Sequence, residues 1–145
     1  MHEKKRIPVS IITGYLGSGK STLLEKIALK GADKKIAVIL NEFGDSSEIE
    51  KAMTIKNGLN SSVYIDGIIT VLDCEHILKC LDDISIDAHW HGDKVGLEGN
   101  LTIAHFQLAM ADRIIMNKYD TIEHSPEMVK QLKERVREIN SIAPM

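Results

Sequence analysis

The stretch that decides the fold is residues 7–24, which read IPVSIITGYLGSGKSTLL. Its first part, residues 7–13, is rich in β-branched residues and runs into a glycine, which predicts a buried strand. From Lys20 onward the apolar residues recur at helical spacing and form one face between residues 23 and 28. A strand, a glycine-rich turn and a helix in this order are the setting that a phosphate-binding loop requires.

The turn itself reads GYLGSGKS and matches the pattern GxxxxGK[ST] at every fixed position. Its glycines let the backbone N–H groups point inward at a phosphate, and the start of the following helix adds partial positive charge. We expect Lys20 to reach the β- and γ-phosphates of a nucleotide and the Ser21 hydroxyl to ligate Mg²⁺. A glycine-rich turn without a ligand is the alternative, which both flanking elements disfavour. The predicted phosphate-binding residues are Gly14, Gly17, Ser18, Gly19, Lys20, Ser21 and Thr22.

A second candidate loop, Asn117-Lys118-Tyr119-Asp120, directly follows the short apolar strand predicted at residues 113–116. A carboxylate at Asp120 can accept hydrogen bonds from N1–H and the 2-amino group of guanine. Adenine lacks that pair of donors, so a buried carboxylate would be left unpaired. We expect Asn117 to brace the loop and contact the purine edge, and the Lys118 stem to cover the base. Such residues often form an ordinary turn, but their position after a strand favours GTP over ATP.

Strands and helices alternate along the rest of the chain. Residues 36–40 and 67–72 predict buried strands, and helices are expected from residue 73, over residues 101–111 and from Ser125 through Asn140. The pattern predicts an α/β fold, a three-layer P-loop NTPase sandwich with a mostly parallel sheet, in one domain over residues 1–145.

Composition excludes several classes of partner. The net charge of −3 provides no basic footprint for nucleic acid, and no apolar run is long enough to span a bilayer. The two cysteines, Cys74 and Cys80, suit packed core thiols better than a disulfide framework or metal ligands, so a reducing cytoplasm is expected. The histidines and aspartates of residues 87–93 could bind a metal, although an exposed polar loop is favoured.

Four segments of the sequence resemble the CobW-like metallochaperone GTPases, and within them the eukaryotic zinc-regulated metalloprotein-activator branch. They read IPVSIITGYLGSGKSTLL, KIAVILNEFGD, DGIITVLD and ADRIIMNKYD. The resemblance implies GTP hydrolysis coupled to delivery of zinc to a client metalloprotein, which is methionine aminopeptidase for that branch. It also places the NEFGD loop at the first switch, where Glu42 and Asp45 are candidates for contact with Mg²⁺, nucleotide or transferred zinc.

The sequence departs from that family between the NEFGD loop and the GIITVLD strand. The family carries there a CxCC metal-binding motif and a Walker B strand, whereas this chain passes from Gly58 to Leu59 with neither. We expect a missing segment of several tens of residues near 58/59, which a Gly58–Leu59 Cα separation far above ~3.8 Å would reveal. We do not assign Asp73, at the end of GIITVLD, as Walker B, because no glycine follows where a second switch needs one.

The resemblance also predicts that no C-terminal domain follows within these 145 residues. No residue is assigned as catalytic, because the sequence offers no clear candidate to position the attacking water. Two other functions stay open: a nucleotide-binding scaffold with little hydrolysis, and a nickel-delivery GTPase, which would share the phosphate loop but not the NEFG wording.

Overall fold

The computed structural model describes residues 5–15, 17–30, 63–83 and 101–145. These residues form three strands, four helices and one 3₁₀ turn over Tyr119–Thr121. The strands are β1 (Ile7–Thr13), β2 (Val63–Asp73) and β3 (Arg113–Asn117). The helices are α1 (Lys20–Lys30), α2 (Ile77–Leu81), α3 (Ile103–Ala109) and α4 (Pro126–Ile139).

The three strands form one parallel sheet with β2 in the centre. Thr13 of β1 pairs with Thr70 of β2, and Asp73 of β2 pairs with Asn117 of β3. Because the strands run in the same direction, the loop after β1, the end of β2 and the loop after β3 all lie at one edge of the sheet. This is the edge at which open α/β sheets bind ligands.

A buried apolar cluster joins one face of the sheet to helices α2, α3 and α4. Leu132 and Val136 of α4 are fully buried, as the helical spacing predicts. The Ser125 hydroxyl caps the start of α4 by accepting a hydrogen bond from the Met128 N–H, and Pro126 occupies the first turn. Buried Asn140 donates from Nδ2 to the carbonyls of Leu108 and Ala111, which ties the end of α4 to α3.

Three local expectations need correction. Strand β1 was expected to be buried, but only Thr13 of this strand is buried and Ile7 is 60% exposed, because β1 lies at the edge of the described sheet. The helix expected from residue 73 begins at Ile77, because the Asp73 carboxylate binds the backbone N–H groups of Glu75 and His76 and holds residues 74–76 in a turn. The apolar face of α1 has no fully buried residue, and Ile27 is exposed. In the described parts of the chain, no helix is long and apolar enough to cross a membrane.

Several sequence expectations lie outside the described residues. They are the strand at residues 36–40, the NEFGD loop with Glu42 and Asp45, the join between Gly58 and Leu59, and the polar segment at residues 87–93.

Candidate nucleotide site

The loop after β1 is compact and is bonded to itself. The Ser18 N–H donates to the Tyr15 carbonyl, and helix α1 starts with a bond from the Leu23 N–H to the Gly19 carbonyl. Gly17 and Gly19 have φ angles of 80° and 101°, which residues with a side chain rarely adopt. The glycines of the motif therefore shape the loop as the phosphate-binding prediction requires.

Ser18 carries a buried hydroxyl that lacks a partner. The residue is 0% exposed, and its Oγ has no hydrogen-bond partner among the residues that the structure describes. Burying a hydroxyl in this way costs about 1–3 kcal/mol. An unsatisfied polar group inside a glycine-rich loop fits an oxygen-rich ligand such as a phosphate.

The Lys20 side chain folds back over the same loop, where its Nζ donates to the Gly14 carbonyl at 2.6 Å. An ammonium has three donors, so this bond leaves others for an anion. Ser21 and Thr22, in the first turn of α1, are exposed to solvent. The loop therefore presents a cation and two accessible hydroxyls.

The loop after β3 is bonded directly to the phosphate loop. Asn117 Nδ2 donates to the Ser18 carbonyl at 2.8 Å, and Lys118 Nζ donates to the Gly17 carbonyl at 2.9 Å. The approach is close enough that a Cβ on Gly19 would overlap the Asn117 amide. The two loops that were predicted separately are thus one structural unit, and Asn117 has a bracing position.

Lys118 has the left-handed backbone conformation, with φ 56° and ψ 32°, as the one non-glycine residue with positive φ in the described parts of the chain. This conformation costs a residue with a side chain about 1–2 kcal/mol. The Lys118 ammonium bonds both the Gly17 carbonyl and the Asp73 carboxylate, each at 2.9 Å. These two contacts oppose the backbone cost and fix the direction of the side chain.

Asp73 ends the central strand with a carboxylate that is only 10% exposed. Its Oδ1 accepts from the N–H groups of Glu75 and His76, while its Oδ2 lies 2.9 Å from Lys118 Nζ and 3.1 Å from His76 Nδ1. Burial opposes ionisation, but the hydrogen bonds from Lys118, His76 and the Glu75 backbone outweigh it and lower the pKa of Asp73. The bond to Asp73 raises the pKa of Lys118.

Sequence reasoning missed this pairing. It did not assign Asp73 as the end of a Walker B strand and gave it no other role, whereas the structure gives the carboxylate nitrogen partners from Lys118, Glu75 and His76. The available signal was a carboxylate at the end of the apolar strand that precedes the NKYD strand. Ligand atoms of Asp73, Glu75 and His76 lie within 4.8 Å of one another, but Lys118 already occupies Oδ2.

Asp120 lies in the 3₁₀ turn over Tyr119–Thr121 and is exposed. From the sequence, a bound base is expected to cover this carboxylate, and that expectation stays a prediction. The turn is on the surface and is held by the Thr121 hydroxyl, which donates to the Lys118 carbonyl at 2.6 Å. The carboxylate is accessible to a base that arrives from solvent.

The two cysteines are packed, as predicted. Cys74 is buried in the core cluster, and Cys80 packs against it. Burial, with the nearby negative charges of Asp73 and Asp120, raises the pKa of the Cys74 thiol to about 11. Burial also raises the pKa of Cys80. Both thiols are therefore protonated at neutral pH.

A cavity of about 400 Å³ opens beside the phosphate loop. Gly17, Asp73 and Lys118 line it at the loop end, and Leu72 and Leu108 line it toward the core. The ion pair between Asp73 and Lys118 therefore forms part of the cavity wall next to the phosphate loop.

A glycine-rich loop after the first strand of a parallel sheet, bonded to an NKYD loop after another strand, defines a P-loop nucleotide-binding domain. The profile of the CobW/HypB/UreG nucleotide-binding domain matches residues 8–58 and 46–145. The chain belongs to this family.

Similar proteins include the zinc-regulated GTPase metalloprotein activator 1 of Saccharomyces cerevisiae, with 69% identity over 208 residues, which covers 100% of this chain and 48% of that protein. The zinc chaperone YjiA of Escherichia coli is 30% identical over 186 residues, which covers 96% of this chain and 56% of that protein. The chain thus spans about half the length of these relatives.

A crystal structure of Zn(II)-bound YjiA GTPase from E. coli has the same fold, with a TM-score of 0.54 and 23% identity. The match covers 91% of this chain and 54% of that chain. It supports the incomplete P-loop NTPase α/β fold expected from the sequence.

Proposed function

We propose that the chain is the nucleotide-binding part of a zinc chaperone that binds and hydrolyses GTP and delivers zinc to a client metalloprotein such as methionine aminopeptidase. The observation that carries the proposal is the direct bonding of Asn117 and Lys118 to the carbonyls of Ser18 and Gly17. This contact supports the proposal because it joins the NKYD loop, the proposed guanine-binding motif, to the proposed phosphate-binding loop. The names of the yeast and bacterial relatives support zinc as the cargo.

Each predicted residue has a role in this proposal. The phosphate loop, residues 14–22, would hold the phosphates with its backbone N–H groups and Lys20. Ser21 would ligate Mg²⁺, which supplies charge neutralisation at the phosphates when bound. Asn117, Lys118 and Asp120 would hold the guanine. Glu42 and Asp45 remain proposed contacts of Mg²⁺ or transferred zinc.

The proposal places the protein in the cytoplasm, with guanine nucleotide and a client protein as partners and no nucleic acid or membrane. The cysteines of the described residues are free, which suits a reducing compartment. The net charge of −3 supports the absence of a nucleic-acid partner.

We also propose that an internal segment of the family domain is missing near residues 58/59. The alignment to the yeast relative extends over 208 residues although it covers all of a chain of 145. The family profile also matches in two overlapping pieces, residues 8–58 and 46–145, the first of which ends at residue 58. A chain without the Walker B strand and second switch of the family would bind nucleotide but hydrolyse little of it. These observations therefore favour a second candidate function, a nucleotide-binding scaffold with little hydrolysis.

Single-turnover GTP hydrolysis, with and without Zn²⁺, tests the two candidates. A GTPase gives phosphate release that zinc alters, whereas a scaffold binds GTP and releases almost none. Lys20→Ala removes the ammonium of the phosphate loop and should abolish binding. Lys30→Ala, at the exposed end of α1, is the matched control and should bind as the parent does. Binding that survives Lys20→Ala unchanged would refute the assigned site.

The client requires its own assay. Zinc-loaded chain is mixed with metal-free methionine aminopeptidase, and peptidase activity is followed with GTP or with a non-hydrolysable analogue. Activation that depends on GTP supports delivery. Equal activation by free zinc at the same concentration refutes a role of this chain in delivery to that client.

A further inference from the structure

We infer that Asp73 is a positioning residue for guanine-nucleotide binding: its carboxylate holds the Lys118 ammonium against the phosphate loop and thereby sets the NKYD loop for the base. The inference rests on the proposed function, since it concerns the same nucleotide. It assigns a task to a residue that belongs to neither the phosphate loop nor the NKYD motif.

Asp73 lies at the same edge of the sheet as the NKYD loop. It is the last residue of the central strand and pairs in register with Asn117, the last residue of the neighbouring strand. This pairing is extended by a bond from the Cys74 N–H to the Asn117 carbonyl. The Asp73 carboxylate therefore starts at the same level of the sheet as the motif that it contacts.

The Asp73 carboxylate is held in place by contacts other than the one to Lys118. The backbone N–H groups of Glu75 and His76 donate to Oδ1 at 2.9 Å and 3.2 Å. Nδ1 of His76 lies 3.1 Å from Oδ2. An anion with these contacts has little freedom, so it can fix a flexible lysine side chain that bonds to it.

The Lys118 side chain, held by Asp73, connects three parts of the site. Its ammonium bridges the Asp73 carboxylate and the Gly17 carbonyl, at 2.9 Å from each. One lysine thus links the central strand, the phosphate loop and the NKYD loop. Its backbone is in the left-handed region, so the loop adopts a conformation that the side-chain contacts must stabilise.

Lys118 lies between the two residues of the NKYD loop that are expected to contact guanine. Asn117 lies on one side of Lys118, and the turn that carries Asp120 starts on the other. That turn is fixed by bonds from the Thr121 hydroxyl and the Thr121 N–H to the Lys118 carbonyl. Releasing the Lys118 side chain would therefore loosen both residues that are expected to contact guanine.

The test is a double-mutant cycle on the affinity for GDP of the full 145-residue chain, measured with a fluorescent GDP analogue. Asp73→Asn should weaken GDP binding about tenfold, the effect of losing one charge-assisted hydrogen bond. In the Lys118→Met background the same substitution should change affinity less than about twofold. Asp82→Asn, which removes a carboxylate bonded to Arg135 at the surface, is the matched control and should bind GDP as the parent does.

The outcomes separate the inference from the proposed function. A parent chain that binds no GDP overturns both. A parent that binds GDP, with Asp73→Asn binding equally well, overturns the inference alone, as does an equal loss in both backgrounds, which would indicate general damage to the fold. If Asp73→Asn does not fold, Asp73→Glu keeps the charge but moves it by one methylene. It must then show the same pattern with a smaller loss, and an unchanged affinity in that variant overturns the inference.

Discussion

Replacing Gly19 by alanine perturbs the contact between the phosphate loop and the NKYD loop, and Gly17→Ala provides a matched comparison. Both glycines have positive φ angles, 101° and 80°. A Cβ at Gly19 would overlap the Asn117 amide, whereas, among the residues that the structure describes, no atom beyond the two chain neighbours lies within 4 Å of a Cβ at Gly17. Comparing the two variants therefore separates the cost of backbone strain from the cost of losing the contact between the loops.

The expected losses in the free energy of unfolding follow from backbone strain and from the lost contact between the two loops. Strain alone should cost each variant about 1–2 kcal/mol in the free energy of unfolding. At Gly19 the Asn117 side chain must also move away, which breaks its bond to the Ser18 carbonyl and adds about 0.5–1.5 kcal/mol. We expect Gly19→Ala to be the more destabilising variant by that additional amount.

Urea unfolding without nucleotide, followed by circular dichroism, measures the difference. Asn117→Ala removes the obstructing amide, so in that background the additional cost of Gly19→Ala should disappear. The reasoning is refuted if Gly17→Ala costs as much as Gly19→Ala, or if the excess persists after Asn117 is replaced.

Three further predictions concern the rest of the site and the core. Because the folded state lowers the pKa of Asp73, its charged contacts stabilise the fold above the unfolded pKa of about 3.9 and are lost as pH falls through the lower folded pKa. The difference in unfolding free energy between the parent and Asp73→Asn should thus be constant from pH 7 to about 5 and shrink below about pH 4; a difference that grows toward acid pH contradicts this. Asp120→Asn replaces an acceptor by a side-chain amide that can donate to the 2-carbonyl of xanthine, so titrations should show weaker GDP and stronger XDP binding, and an unchanged preference would exclude base contact by Asp120. Leu132→Ala empties a fully buried position and should cost about 2–5 kcal/mol in urea unfolding, whereas exposed Met128→Ala on the same helix should cost less than about 0.5 kcal/mol; equal costs would contradict the packing of α4.

The elements of the site could be predicted where a local pattern determines them. Strand β1, the start of α1, the parallel sheet and the capped start of α4 each follow from residue periodicity or from a turn signal nearby. The NKYD loop could also be placed at the carboxyl end of a strand. These features depend on neighbours in the sequence, so one sequence is enough to find them.

The contacts between distant segments could not be predicted. The bond between Asp73 and Lys118 depends on the register of β2 against β3, which the apolar patterns of the two strands leave open. The exposure of Asp120 depends on what covers the turn after β3. The later start of α2 arises because the Asp73 carboxylate prefers backbone N–H groups of a turn to those of a continuing helix.

We propose that the phosphate loop and the NKYD loop, which are bonded to each other, form one site that reads guanine. Competition of GDP and ADP for the same fluorescent GDP analogue, in the presence of Mg²⁺, tests it most directly. We predict that GDP displaces the analogue at a concentration at least about 100-fold lower than ADP, since only guanine offers the donor pair that Asp120 can accept. Equal displacement by the two nucleotides, or none by either, would contradict the claim.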